Sequence, residues 1–142
     1  MDLFSAIKIS SSGMSLQRAR MNVIASNMAN INTTRTPEGG PYRKKSVIAE
    51  ATPIKTEGFE QTLGEAIRDV KVIEIKEDKS PPRMVYNPSH PDADERGYVA
   101  MPNVNMLEEM LDMINASRSY EANATAVNAA KKMAQRALEL GR

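Results

Sequence analysis

The chain has 142 residues, a formal net charge of +1 and no cysteine. That length suits one domain, or a small domain with helical extensions. The missing cysteine excludes disulfides and thiolate metal sites, and the balanced charge gives little support for nucleic acid as the main partner. Hydrophobic residues make up 41%, but aromatics only 4%, with no Trp and ten Met, so adaptable helix packing is expected in place of a large aromatic core.

The N-terminus, Met1-Asp2-Leu3-Phe4, opens with an acid and lacks a basic n-region and a continuous apolar h-region. No apolar run approaches the roughly 18 residues needed to span a bilayer. The expectation is a chain that is cytoplasmic, or that leaves the cell by a route reading no cleaved signal. Residues 3–32 predict a helix, with a kink or weak point at Ser10-Ser11-Ser12-Gly13, where poor helix formers cluster. Ile7, Met14, Met21 and Met28 recur every seven residues, with Ile24 and Ile31 between them, which is the spacing of a coiled-coil seam. The opposite face carries Gln17, Arg18, Arg20, Asn22, Ser26, Asn27 and Asn30. Periodicity alone reads that face as solvated, although Asn amides can also bond laterally to neighbours.

Residues 33–103 hold all eight prolines. Thr36-Pro37-Glu38-Gly39-Gly40-Pro41 reads as a turn or open loop. Short strands are expected at Ser46–Ala49, Val70–Ile75, near Met84–Tyr86 and at Gly97–Met101, and a short helix at Phe59, Leu63 and Ile67. This is a small, loop-rich β insert. Residues 104–140 give the strongest helical pattern, free of proline, with Asn103 or Asn105 to cap it and Gly141 to end it. Glu108, Glu109 and Asp112 lie early and Lys131, Lys132 and Arg136 late, an order that complements the helix dipole. Met106, Met110, Met113, Ser117, Tyr120, Ala124, Val127, Lys131, Ala134 and Leu138 alternate at spacings of four and three. At about 1.5 Å per residue such a helix runs roughly 55 Å, long for a small domain to bury. The expected fold is mainly α with a small β insert: paired long N- and C-terminal helices, over 1–32 and 104–142, flank the loop-rich β region at 33–103. Neither end stripe can bury itself alone, so the ends are expected to pair with each other and with neighbouring chains.

No catalytic, cofactor-binding or metal-ligating set emerges. His90 is the sole histidine, and the Asp92-x-Asp94 start of a calcium loop fails at Arg96 and at Asn103, where acidic ligands belong. Prolines and Asx residues make a structural turn the better reading of 87–97. No Gly-x-Ser-x-Gly elbow and no phosphate-cradling glycine loop occurs. Arg43-Lys44-Lys45 beside Tyr42 reads as a solvated strand edge.

Ala25-Ser26-Asn27-Met28-Ala29-Asn30-Ile31-Asn32-Thr33-Thr34, with Arg18 to Ile24 before it, closely resembles the Asn-rich motif of bacterial flagellar axial proteins, the rod, hook and hook-associated subunits. Gly40-Pro41-Tyr42-Arg43-Lys44-Lys45, Ser80-Pro81-Pro82-Arg83, the run from Asn87 to Asn105 and Ser117 to Asn123 look like a proximal basal-body rod protein. The resemblance implies a structural, non-enzymatic rod subunit in the drive shaft crossing the periplasm. It would need no cofactor and would be exported uncleaved through the flagellar type III apparatus. Its partners would be copies of itself and other rod proteins, and it would neither bind nucleic acid nor span a membrane. The subunit-interface residues so implied are Met14, Met21, Ile24, Asn27, Met28, Asn30, Ile31, Met106, Met110, Met113, Tyr120, Asn123, Ala124, Val127 and Leu138, with Asn27 and Asn30 expected to bond across subunits.

Overall fold

The computed structural model describes residues 3–53 and 68–140. Two long helices flank a small β region: α1 (Leu3–Ala29), β1 (Lys45–Pro53), β2 (Arg68–Glu77), β3 (Arg83–Tyr86), β4 (Tyr98–Met101) and α2 (Met106–Leu140). All four expected strands are present. The short helix expected around Phe59, Leu63 and Ile67 lies outside the described residues.

α1 runs unbroken through Ser10–Gly13, where a kink or weak point was expected. The serines stay helical by bonding back to the preceding turn, Ser12 Oγ to Ile9 O at 2.8 Å and Ser15 Oγ to Ser11 O at 3.1 Å. Ser12 Oγ also accepts the Val70 amide at 3.2 Å, which fastens β2 to α1. Gly13 is there for space: a Cβ at this position would meet the Asn123 side chain at 3.0 Å. The two helices approach closely at this point, and tertiary packing overrides local propensity.

Asn30 closes α1. Its Nδ2 donates to Ser26 O at 2.9 Å and its Oδ1 accepts Thr33 Oγ1 at 3.1 Å. The Tyr42 amide returns to Thr33 O, closing the loop between α1 and β1. At the far end, the Leu107 amide donates to Asn105 Oδ1 at 3.1 Å, so Asn105 is the cap of α2.

β1 and β2 form one antiparallel pair and β3 and β4 another. The first slips by one residue between Ile48 and Ala49, a bulge that leaves Ile73 without a partner. In the second pair the Tyr86 and Tyr98 rings meet edge to face, with centroids 5.4 Å apart. Gly97 precedes β4 at φ +80° with its Cα against the Tyr86 ring, where a Cβ would lie 2.9 Å from a ring carbon. The loop at 87–97 is held by its own Asx bonds, with Asp94 Oδ1 accepting the Arg96 and Tyr98 amides, and is tied to the segment after α1 by Asp92 Oδ2, which accepts Thr34 Oγ1.

The two helices supply most of the buried apolar side chains. Leu16, Val23 and Ile24 are buried on α1, and Ala116 and Ala130 on α2. Tyr42, Val99 and Val104 add the insert and the approach to α2.

Candidate functional site at the helix junction

The two helices run antiparallel. Asn27, near the end of α1, bonds Glu109 in the first turns of α2. Two heptads back along α1 and two heptads on along α2, Gly13 meets Asn123. On α2 the seam toward α1 follows Glu109, Met113, Ala116, Tyr120, Asn123, Val127, Ala130 and Ala134, all buried or half-buried. It keeps the expected Met113, Tyr120, Val127 and Ala134. The other half is centred one residue earlier than expected, with Glu109, Ala116 and Ala130 buried where Met110, Ser117 and Lys131 were expected. Ser117 and Ala124 remain half-buried at its edge, whereas Met110 and Lys131 are exposed. Ala116, Asn123 and Ala130 give this seam short side chains, and the α1 residue against Asn123 is Gly13.

Glu109 and Asn27 are both only 1% exposed. A buried carboxylate requires a counter-charge and hydrogen bonds. Glu109 Oε2 accepts Asn27 Nδ2 at 3.0 Å. Its Oε1 is held by the Lys44 ammonium at 2.7 Å and, among the described residues, by nothing else. Asn27 is fully satisfied. Its Nδ2 also donates to Lys45 O at 2.9 Å, and its Oδ1 accepts the Lys45 amide at 2.9 Å and Tyr42 OH at 3.0 Å. The Tyr42 hydroxyl sits 3.2 Å from Ser26 Oγ, so one network joins α1, the start of β1 and α2.

Asn27 is therefore not on a solvated face: its amide is engaged within the chain. Asn30, half-buried, caps its own helix. The Tyr42–Lys45 run is not simply a solvated edge either. Tyr42 is buried, Lys44 reaches Glu109, and Lys45 extends to Glu77 Oε1 at 3.5 Å and over the Tyr42 ring at 5.8 Å. Only Arg43 in this run points fully outward.

The hydrogen bond to Glu109 raises the Lys44 ammonium above its ordinary value near 10.5; partial burial opposes this, and the Glu109, Glu108 and Asp112 charges add to it. Because the folded value lies above the unfolded one, the stabilisation is complete below about 10.5 and is lost as pH climbs through the folded value. Thermal melts from neutral to strongly alkaline pH should show a loss of stability in that window. A Lys44→Met/Glu109→Leu chain should lose less over the same range; an identical decline in both would show that this pair does not carry the effect.

The other expected residues divide by location. Ile24 is buried within the chain, and Met14, Met21, Met28, Ile31, Met113, Tyr120, Asn123, Ala124 and Val127 are half-buried. Met106, Met110 and Leu138 are exposed. Beside Met106 and Met110 lie Leu107 at 71%, Leu111 at 61% and the exposed Ile114, an apolar face of α2 that α1 does not cover. The sequence reading missed Leu107, Leu111 and Ile114, although their own helical spacing was a usable signal. No helix among the described residues is long and apolar enough to cross a membrane.

The family model described as "Flagella basal body rod protein" matches residues 7–35. That described as "Flagellar basal body rod FlgEFG protein C-terminal" matches residues 95–140. The two matches therefore fall on α1 and its exit, and on β4 with α2. Three relatives, each called flagellar basal-body rod protein FlgC, match along nearly their whole length. The Bacillus subtilis protein is 44% identical over 100% of both chains. The Borreliella burgdorferi protein is 43% identical over 99% of this chain and 98% of its own. The Escherichia coli O6:H1 protein is 39% identical over 99% of each. An Asn-rich α1 exit, a β insert and a long Ala-rich α2, in a chain matched end to end at this identity, place it in the FlgC family of flagellar basal-body rod proteins.

Proposed function

We propose that this chain is a structural, non-enzymatic subunit of the proximal rod, assembling helically with its own copies and with other rod proteins into the shaft that transmits motor torque. The observation that carries the reading is the uncovered apolar face of α2. Met106, Leu107, Met110, Leu111 and Ile114 form a continuous exposed stripe beside the seam that α1 occupies. A stripe of that kind marks a protein-interaction surface, and a rod subunit supplies the neighbour. Met106, Met110 and Leu138 are contacts to neighbouring subunits in this reading. The half-buried methionines of α1 present their outer edges to the same neighbours, and Met adapts to non-identical partners. Export proceeds through the flagellar type III apparatus without cleavage, and the assembled chain lies in the periplasmic part of the basal body.

Changing Leu107 and Leu111 together to Lys leaves the α1–α2 seam intact and puts two charges on the free face. Helix content by circular dichroism should stay within about a tenth of the parent, since exposed substitutions away from the core perturb stability little. Isolated basal bodies should lack the chain, and cells should not swim. Imaging a tagged parent chain in isolated basal bodies should place it in the membrane-proximal rod. Normal incorporation of the Leu107→Lys/Leu111→Lys double variant, or a tag located elsewhere, would overturn the reading.

A further inference from the structure

With ten Met and no Cys, all the oxidisable sulfur of this chain is thioether. The fold sorts those sulfurs by exposure. Met14, Met21 and Met28 on α1, Met101 at the end of β4 and Met113 on α2 are half-buried. Met84 is 54% exposed, Met106 39%, Met110 47% and Met133 60%. None of the fully buried apolar side chains among the described residues is a methionine, and the junction of Asn27, Glu109, Lys44 and Tyr42 contains no sulfur. Met106 and Met110, four residues apart on one side of α2, belong to the stripe with Leu107, Leu111 and Ile114 that α1 leaves uncovered. A peroxide must reach a thioether to oxidise it, so exposure orders the rates. Oxidation therefore falls first on surface sulfurs, two of them on the free face of α2, and last on those beside the seam.

We infer that Met106 and Met110 form a modification site, where sulfoxidation by a peroxide blocks docking of the α2 face and leaves the fold of the chain intact. The thioether lone pair attacks one peroxide oxygen. An S–O bond forms and the O–O bond breaks; the transferred oxygen gives its proton to the departing hydroxide, which leaves as water. Sulfur loses two electrons and the peroxide gains them. A dithiol-dependent methionine sulfoxide reductase reverses the change, releasing the oxygen as water and leaving a disulfide on the dithiol. The modified side chain is polar where the parent was apolar, and its new oxygen needs a hydrogen-bond donor. The side chains of Leu107, Leu111 and Ile114 have none to give, so docking buries that oxygen unpaired. The site acts on the free chain, because a neighbour seated on the stripe covers both sulfurs. This inference rests on the reading of the stripe as the surface that meets neighbouring subunits.

The purified full chain is treated with graded hydrogen peroxide, digested and mapped by mass spectrometry. Met106 and Met110 should gain oxygen at least about fivefold faster than Met14, Met21, Met28 and Met113, with helix content by circular dichroism unchanged while they do. Half-buried methionines reacting equally fast, or helix lost as Met106 and Met110 react, would overturn the inference. Two variants carried in cells then read docking. Met106→Gln/Met110→Gln puts a polar side chain of similar length where the sulfoxide would be, and its incorporation into isolated basal bodies should fall at least about tenfold. Met106→Leu/Met110→Leu keeps the face apolar without sulfur and should incorporate within about twofold of the parent. Loss in both variants would overturn the inference, since side-chain shape and not polarity would then decide docking. Parent-level incorporation of the Gln pair, with Leu107→Lys/Leu111→Lys excluded, would overturn it and leave the rod reading standing. Parent-level incorporation of the Gln pair and the Lys pair alike would overturn both.

Discussion

Lys44→Met should destabilise the folded chain by about 3–5 kcal/mol, nearer the lower figure because solvent reaches the ammonium. Glu109 cannot turn out to water: it is 1% exposed and its other oxygen is fixed by Asn27. Removing the lysine leaves a charged carboxylate in the junction with a single hydrogen bond. Glu109→Gln is the contrasting change. The amide oxygen still accepts Asn27 Nδ2, and Lys44, already 26% exposed, swings into solvent at little expense. Its effect should be about 1–2 kcal/mol, the range for a hydrogen bond to a charged group replaced by a neutral one. Urea unfolding of both variants against the parent tests the order. Equal losses, or a larger loss for Glu109→Gln, would show that Coulomb attraction dominates over the stranding of a buried charge.

The architecture was legible because long patterns carry it. A proline-free stretch with Asn103 or Asn105 to cap it predicts α2, and the proline-rich middle with short β-leaning runs predicts the insert. The phase of the α2 seam was only half legible. Met113, Tyr120, Val127 and Ala134 are half-buried as expected, but hydrophobicity favoured Met110 over Glu109 as their companion. Glu109 is buried because Lys44 and Asn27 lie opposite, and those partners are 65 and 82 residues away in the chain. No local window contains them. The unbroken α1 was missed for a related reason. Gly13 is a weak helix former by itself, and its use becomes visible only when Asn123 is placed against it. Small residues at Gly13, Ala116 and Ala130 were the available hint of close helix approach. They are silent on a scale that counts only apolar bulk.

By the same non-local logic Asn27→Asp, though near-isosteric, should destabilise the chain by about 4 kcal/mol or more. The side chain keeps its shape, so no cavity or clash of volume arises. What changes is donor chemistry: Nδ2 donates to Lys45 O at 2.9 Å and to Glu109 Oε2 at 3.0 Å, and a carboxylate oxygen has no hydrogen to offer either one. Two acceptors then face acceptors, and two carboxylates share a junction served by one ammonium. Asn27→Ala, which removes more atoms, should cost less, about 2–3 kcal/mol, because it orphans polar groups without adding a charge. Acid should narrow the gap between Asn27→Asp and the parent. Protonating one carboxyl of the new pair turns a repulsion into a hydrogen bond, so the variant regains ground as pH falls from about 7 towards about 5. Asn27→Ala carries no new titrating group and its gap should stay flat. Urea unfolding of the three chains at both pH values gives the comparison, and an Asn27→Asp gap that holds constant or widens on acidification would remove charge repulsion as the cause.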